Sequence, residues 1–137
     1  MTYLIPYLAT ALVFLGLDFL WLTRISPTYY RSRIGELLLA QPNFAAAAAF
    51  YLLYVAGIVY FAVVPALNAG NWTTALLSGA ILGLVAFGTY DMTNLATLKG
   101  WSLQVSLVDM LWGMVITATS ATTGYLVTMH WFLPGRS

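Results

Sequence analysis

The sequence predicts an all-α polytopic membrane protein: four transmembrane helices, with a short interfacial amphipathic helix between the first two. Three observations carry this. Hydrophobic residues make up 61% of the 137 and charged residues only 7%, against about a quarter charged in soluble domains. The apolar residues fall into four runs, each close to the roughly 20 residues that a bilayer requires. What remains covers only short connections and tails, so the expected organisation is one four-helix transmembrane domain over residues 1–137.

The first run spans Leu4 to Leu22, interrupted only by Asp18, with no basic residue ahead of it. A secretory signal has a positive n-region, so this helix is expected to be retained. In the connection that follows, Ser26-Pro27 reads as a cap with proline at the first helical position. Tyr30, Ile34, Leu37 and Leu38 then recur at helical spacing opposite Arg31, Arg33 and Glu36. This is the amphipathic helix expected to lie in the interface, chiefly as an anchor. The second run, Phe44 to Ala66, opens after Gln41-Pro42-Asn43, with Asn43 as N-cap, and is expected to end at Pro65. The third runs from Trp72 to about Leu98 and holds Asp91; the fourth runs from about Leu103 to Leu133 and holds Asp109.

Short cytoplasmic connections carry the basic excess of a membrane protein. Arg24, Arg31 and Arg33 fall in the first connection and Lys99 in the third, whereas Leu67 to Asn71 has none. Both termini are therefore expected outside the cytoplasm. Tyr3, Tyr7, Trp72, Trp131 and Phe132 then form the outer aromatic belt, and Trp21, Tyr29, Tyr30 and Trp101 the inner one. A net charge of +1 with scattered basic residues argues against nucleic acid as a partner, and the absence of cysteine excludes thiol chemistry and thiolate metal sites.

Three acids lie inside the apolar runs. An aspartate at the centre of a span costs about 3 kcal/mol on insertion scales, so three cost on the order of 9 before depth is allowed for. With the first and third helices running inward and the fourth outward, Asp18, Asp91 and Asp109 fall in one layer of the cytoplasmic half. At 100° per residue, Asp109 shares a face with Ser106, Gly113, Thr117, Ser120 and Gly124, the kind of small-residue face on which membrane helices approach closely. On the third helix Gly79 and Gly83 form a GxxxG pattern, with which Tyr90 aligns better than Asp91. This turns Asp91 toward a different neighbour and makes it the acid expected to be most open to a ligand.

Leu17-Asp18-Phe19-Leu20-Trp21 and Val108-Asp109-Met110-Leu111-Trp112 both place Trp three residues after Asp. An indole N–H only donates and a carboxylate only accepts, so such pairs suit each other. The third helix carries a more polar version, in which Tyr90, Thr93 and Asn94 surround Asp91. Asp18, Asp91, Asp109, Asn94, Tyr90, Trp21 and Trp112 are thus the candidate binding residues. The single histidine, His130, falls at the far end of the fourth helix, and the acid spacing matches no metal-binding loop, so no metal site is expected.

The segment Thr89 to Trp101, followed by Leu107-Val108-Asp109 and Trp112-Gly113, resembles an uncharacterised bacterial membrane family, domain of unknown function 2177. The likeness extends to Leu17-Asp18 with Trp21, Tyr30-Arg31, Gly35, Pro42, Phe50-Tyr51-Leu52, Tyr54, Gly57 and Pro65-Ala66. Met92 stands where leucine is expected in relatives and Ser102 where proline is common. The resemblance implies a four-helix bacterial membrane protein of this length, and brings with it no activity, cofactor or catalytic residue.

Three functions fit the acids. They can act as interhelical ion pairs with Arg24, Arg31, Arg33 or Lys99 in a structural or accessory protein. They can bind a proton, a cation or another small polar species in a transporter or permeation subunit of the inner membrane. Or they can serve an intramembrane enzyme or lipid-binding protein as general acid or base, with the aromatics as pocket wall. The transport reading is the expectation adopted. Four short spans enclose little volume, so a homo-oligomer embedded in the lipid bilayer is expected to complete the pathway.

Overall fold

The computed structural model describes residues 4–25 and 44–132. All four apolar runs are helices long and apolar enough to cross a membrane: Leu4–Arg24, Ala45–Ala69, Trp72–Thr97 and Leu103–Trp131. The first begins as α1 (Leu4–Leu20) and ends in a π turn, Trp21–Ile25. Pro6 sits in its opening turn, where a missing N–H costs nothing. The expected amphipathic helix and the Asn43 cap lie outside the described residues.

The second span passes through Pro65 instead of ending there. Its parts are α2 (Phe44–Ile58), a π turn (Val59–Val63) and α3 (Val64–Ala69). Proline inside a helix lacks an N–H, and its ring meets the carbonyl one turn earlier. The wider π turn opens the spiral at that point, which leaves Pro65 in the first turn of α3. Gly70, at φ 66°, stops the helix in the left-handed conformation that favours glycine. The connection is correspondingly shorter than Leu67 to Asn71, and Leu67 is buried.

Side-chain caps open the next two helices. Asn71 accepts from the Thr73 amide at the start of α4 (Trp72–Thr97), and Ser102 accepts from the Val105 amide at the start of α5 (Leu103–Val127). A final π turn, Thr128–Phe132, completes the fourth span and carries exposed His130.

The tightest contact in the bundle joins α4 and α5, which run antiparallel. Gly83 lies so close to Gly113 that a methyl group on Gly83 would overlap the Gly113 carbonyl. On α4 the buried residues Ala75, Gly79, Gly83 and Asp91 are separated by multiples of four, as are Val105, Gly113, Thr117, Ala121 and Tyr125 on α5. Rows of i±4 residues form inclined ridges on a helix. A contact that follows such a row drifts around the helix and carries Asp91 into the interface. The straight-helix expectation is corrected on this point: Asp91 is 1% exposed, and Tyr90 faces outward at 58%.

Packing differs between the two halves of the bundle. Ile58, Ala62, Val63, Ala66, Leu67, Ala75, Ala121, Tyr125 and Met129 form the part of the core on the Gly70 side, and Phe14, Tyr54, Val55 and Ile116 continue it toward the acids. On the Gly70 side the second span lies against α4 and α5 through Val59–Val63 and α3. Its first half, α2, lies chiefly against α1. The separation of α2 from α4 opens a cavity in the half that holds the acids. Large apolar side chains such as Leu12, Leu53 and Val85 cover the outer surface, as lipid contact requires.

Candidate functional site

The cavity encloses about 630 Å³ between α2 and α4. Phe14 and Asp18 from α1, Phe50, Tyr51 and Tyr54 from α2, Phe87 and Tyr90 from α4, and Asp109 from α5 contribute to its wall. Two of the three acids therefore open onto one space, with aromatic rings around them.

Each acid has a different environment. Asp18 is 8% exposed, and the Tyr51 hydroxyl donates to its Oδ2 at 2.5 Å. The buried Trp112 indole lies near this carboxylate but without a partner in hydrogen-bond geometry. Asp109 is half-buried and stands next to Asp91. Asp91 is sealed: both of its oxygens are buried and receive no hydrogen bond from a donor. Its neighbour is another carboxyl, and two carboxyls can bond to each other only when one of them carries a proton.

The short turn between α4 and α5 is tied to both helices through Ser106, whose hydroxyl lies 3.5 Å from the Asp91 backbone carbonyl. The Trp101 indole donates to Ser106 Oγ at 2.9 Å, and Ser106 in turn donates to the Ser102 carbonyl at 2.9 Å. Tyr90 meets the Trp101 ring edge-on at 5.6 Å. Asn94, one turn further along, is within reach of the Tyr90 hydroxyl. Trp21 stacks on Trp112 at 4.4 Å, behind the cavity rather than in its wall. Of the residues singled out from sequence, Asp18, Asp109 and Tyr90 thus meet at the cavity, Asp91, Trp21 and Trp112 back it, and Asn94 stands beside Tyr90.

The second span carries no charge, and in the sequence its tyrosines stand out only through the family resemblance. Yet Tyr51 holds Asp18, and Tyr54 shares a 2.8 Å hydrogen bond with Thr117 across the bundle. Two tyrosines three residues apart in an otherwise apolar run were the available signal, since a buried phenol needs a polar partner. Phe14 and Phe87 give no signal, because phenylalanine in a span is ordinary. Among the described residues, no three acid or histidine side chains gather closely enough to hold one metal ion.

No curated protein and no solved structure matches the chain. Residues 3–126, nearly its whole length, match the family described as predicted membrane protein DUF2177, and the protein belongs to that family.

Proposed function

We propose that this protein is a transporter or permeation subunit whose acid layer binds a small polar or cationic species. The observation that carries the reading is the joint exposure of Asp18 and Asp109, from two helices, to one cavity of about 630 Å³. An ionised carboxylate in a low-dielectric site needs a countercharge or a proton. A cation entering the cavity supplies the first, and protonation on its departure supplies the second. The reading places the protein in the bacterial inner membrane with both termini outside the cytoplasm, puts the acid layer in the cytoplasmic half, and assigns the pathway to a homo-oligomer.

The test is flux through reconstituted protein. Proteoliposomes are challenged in turn with gradients of protons, potassium and tetramethylammonium, and Asp109→Asn is compared with the unaltered chain. Asparagine keeps the size of the side chain but cannot ionise, so flux is expected to vanish from a variant that still folds. Undiminished flux in folded Asp109→Asn, or none in the unaltered chain under any gradient, rejects the reading. Orientation is tested separately with an impermeant thiol reagent applied from outside: Asn71→Cys is expected to label and Ser32→Cys to be protected. Native mass spectrometry of detergent-purified protein reports the subunit number.

The runner-up is a structural role, favoured by the Tyr51 to Asp18 hydrogen bond, which ties α1 to α2 without any ligand. In that case Asp18→Ala loses more stability than Asp18→Asn, whose amide oxygen can still accept from Tyr51.

A further inference from the structure

We infer that the ligand of the cavity is an organic ammonium ion with an apolar body, its charge held between Asp18 and Asp109 and its body laid against aromatic ring faces. This rests on the cation-binding reading above and narrows it to one chemical class.

The walls make the choice. Phe14 meets Tyr51 at 5.8 Å and Tyr54 at 5.4 Å, both edge-on; Phe50 stacks on Tyr54 at 5.7 Å; and Phe87 meets Tyr54 at 6.2 Å. These rings form one continuous surface beside the two carboxylates. The polar atoms of the two tyrosines are already engaged, the Tyr51 hydroxyl with Asp18 and the Tyr54 hydroxyl with Thr117. Phe14 and Tyr54 are themselves buried, so the rings left for a ligand are those of Phe50, Tyr51 and Phe87. Ring faces attract cations through their quadrupole, and aromatic surfaces of this kind suit alkylated ammonium groups. A small inorganic cation, by contrast, must exchange its water for a shell of oxygens.

Size and access point the same way. About 630 Å³ falls in the range of sites for drug-sized molecules and far exceeds a dehydrated metal ion. The cavity lies where α2 stands off from α4, and the residues at that edge, Phe50 at 54% exposed and Tyr90 at 58%, face the lipid side of the bundle. An amine with an apolar body partitions into the bilayer and reaches the acids laterally, between the helices.

The experiment uses the full chain in detergent micelles and reads Trp fluorescence, since Trp112 adjoins Asp18. The probes are benzyltrimethylammonium chloride, potassium chloride at equal ionic strength, and neopentylbenzene, the uncharged isostere of the first. Saturable binding of benzyltrimethylammonium is expected, with no response to potassium and weaker binding of the isostere. Phe50→Leu should weaken the ammonium complex roughly fivefold, as loss of one ring face predicts, and Asp109→Asn should weaken it at least about tenfold. Should Asp109→Asn fail to fold, half-exposed Phe50→Leu still decides. If potassium binds at Asp109 and the ammonium does not, the inference falls while the cation-binding reading stands. Equal affinity for the uncharged isostere, or no effect of Phe50→Leu, also overturns the inference. If no probe binds, this inference falls, and the flux assay judges the broader reading on its own.

Discussion

Trp21 and Trp112 stack face to face, 4.4 Å between ring centroids and 10° between planes. They are the two tryptophans of the repeated Asp-x-x-Trp segment, one on each of two antiparallel spans, so the repeat closes on itself in space. The stack braces the layer behind Asp18 and Asp109 and fixes how far α1 and α5 can slide along each other.

Stacked aromatic pairs are worth about 0.5–1.5 kcal/mol beyond the area they bury. A double-mutant cycle of Trp21→Leu and Trp112→Leu is therefore expected to give a coupling energy of that size in denaturation of the purified protein. A coupling indistinguishable from zero would show that the two rings are merely neighbours. Trp112→Phe is expected to cost less than Trp112→Leu, because it retains a ring.

The hydroxyl of Tyr51 is the donor that Asp18 receives from α2. Removing it in Tyr51→Phe leaves a buried acceptor short of a partner, at a cost of about 1–3 kcal/mol. Replacing both partners is cheaper than orphaning one. The combination Tyr51→Phe with Asp18→Leu is accordingly expected to be more stable than Tyr51→Phe alone, read as melting temperature in one detergent. A double variant less stable than the single one would mean that Asp18 has other partners that matter more.

The spans and the convergence of the acids were legible in the sequence for a simple energetic reason. A charged group in an apolar run is costly, so Asp18, Asp91 and Asp109 stood out and had to find company. Which way Asp91 points was not legible. Projection at 100° per residue assumes that the contact line runs straight along the helix, whereas the line from Gly83 to Asp91 follows a row of i+4 residues. The cavity was hidden for a related reason: it depends on the gap between α2 and α4, which no residue on either helix announces. Tyr51 and Tyr54 took on meaning only when their partners, Asp18 and Thr117, came within hydrogen-bonding distance.

Gly83 sets the distance between α4 and α5, and through it the position of Asp91 against Asp109. In Gly83→Ala the added methyl group meets the Gly113 carbonyl, a backbone atom that cannot swing aside. Overpacking of this kind costs about 1–3 kcal/mol, so a clear fall in melting temperature is expected. Gly16→Ala is the control, since nothing lies within 4 Å of a methyl group there. Equal behaviour of the two variants would reject the close contact.

The three acids are expected to differ sharply in accessibility, in an order opposite to the one suggested by helical projection. Asp109 lines the cavity and is half-buried, while Asp91 is 1% exposed and absent from the cavity wall. The chain contains no cysteine, so each introduced thiol reports alone. A small methanethiosulfonate reagent should modify Asp109→Cys and the rim variant Phe50→Cys readily. Asp91→Cys should react at least about tenfold more slowly, because a sealed thiol is reached only when the structure opens locally. A ligand in the cavity should protect the rim variant Phe50→Cys, which keeps both cavity carboxylates, and leave the slow reaction of Asp91→Cys unchanged. If Asp91→Cys reacts as fast as Asp109→Cys, water reaches the α4–α5 interface from the Gly100 side, and Asp91 belongs to the binding surface itself.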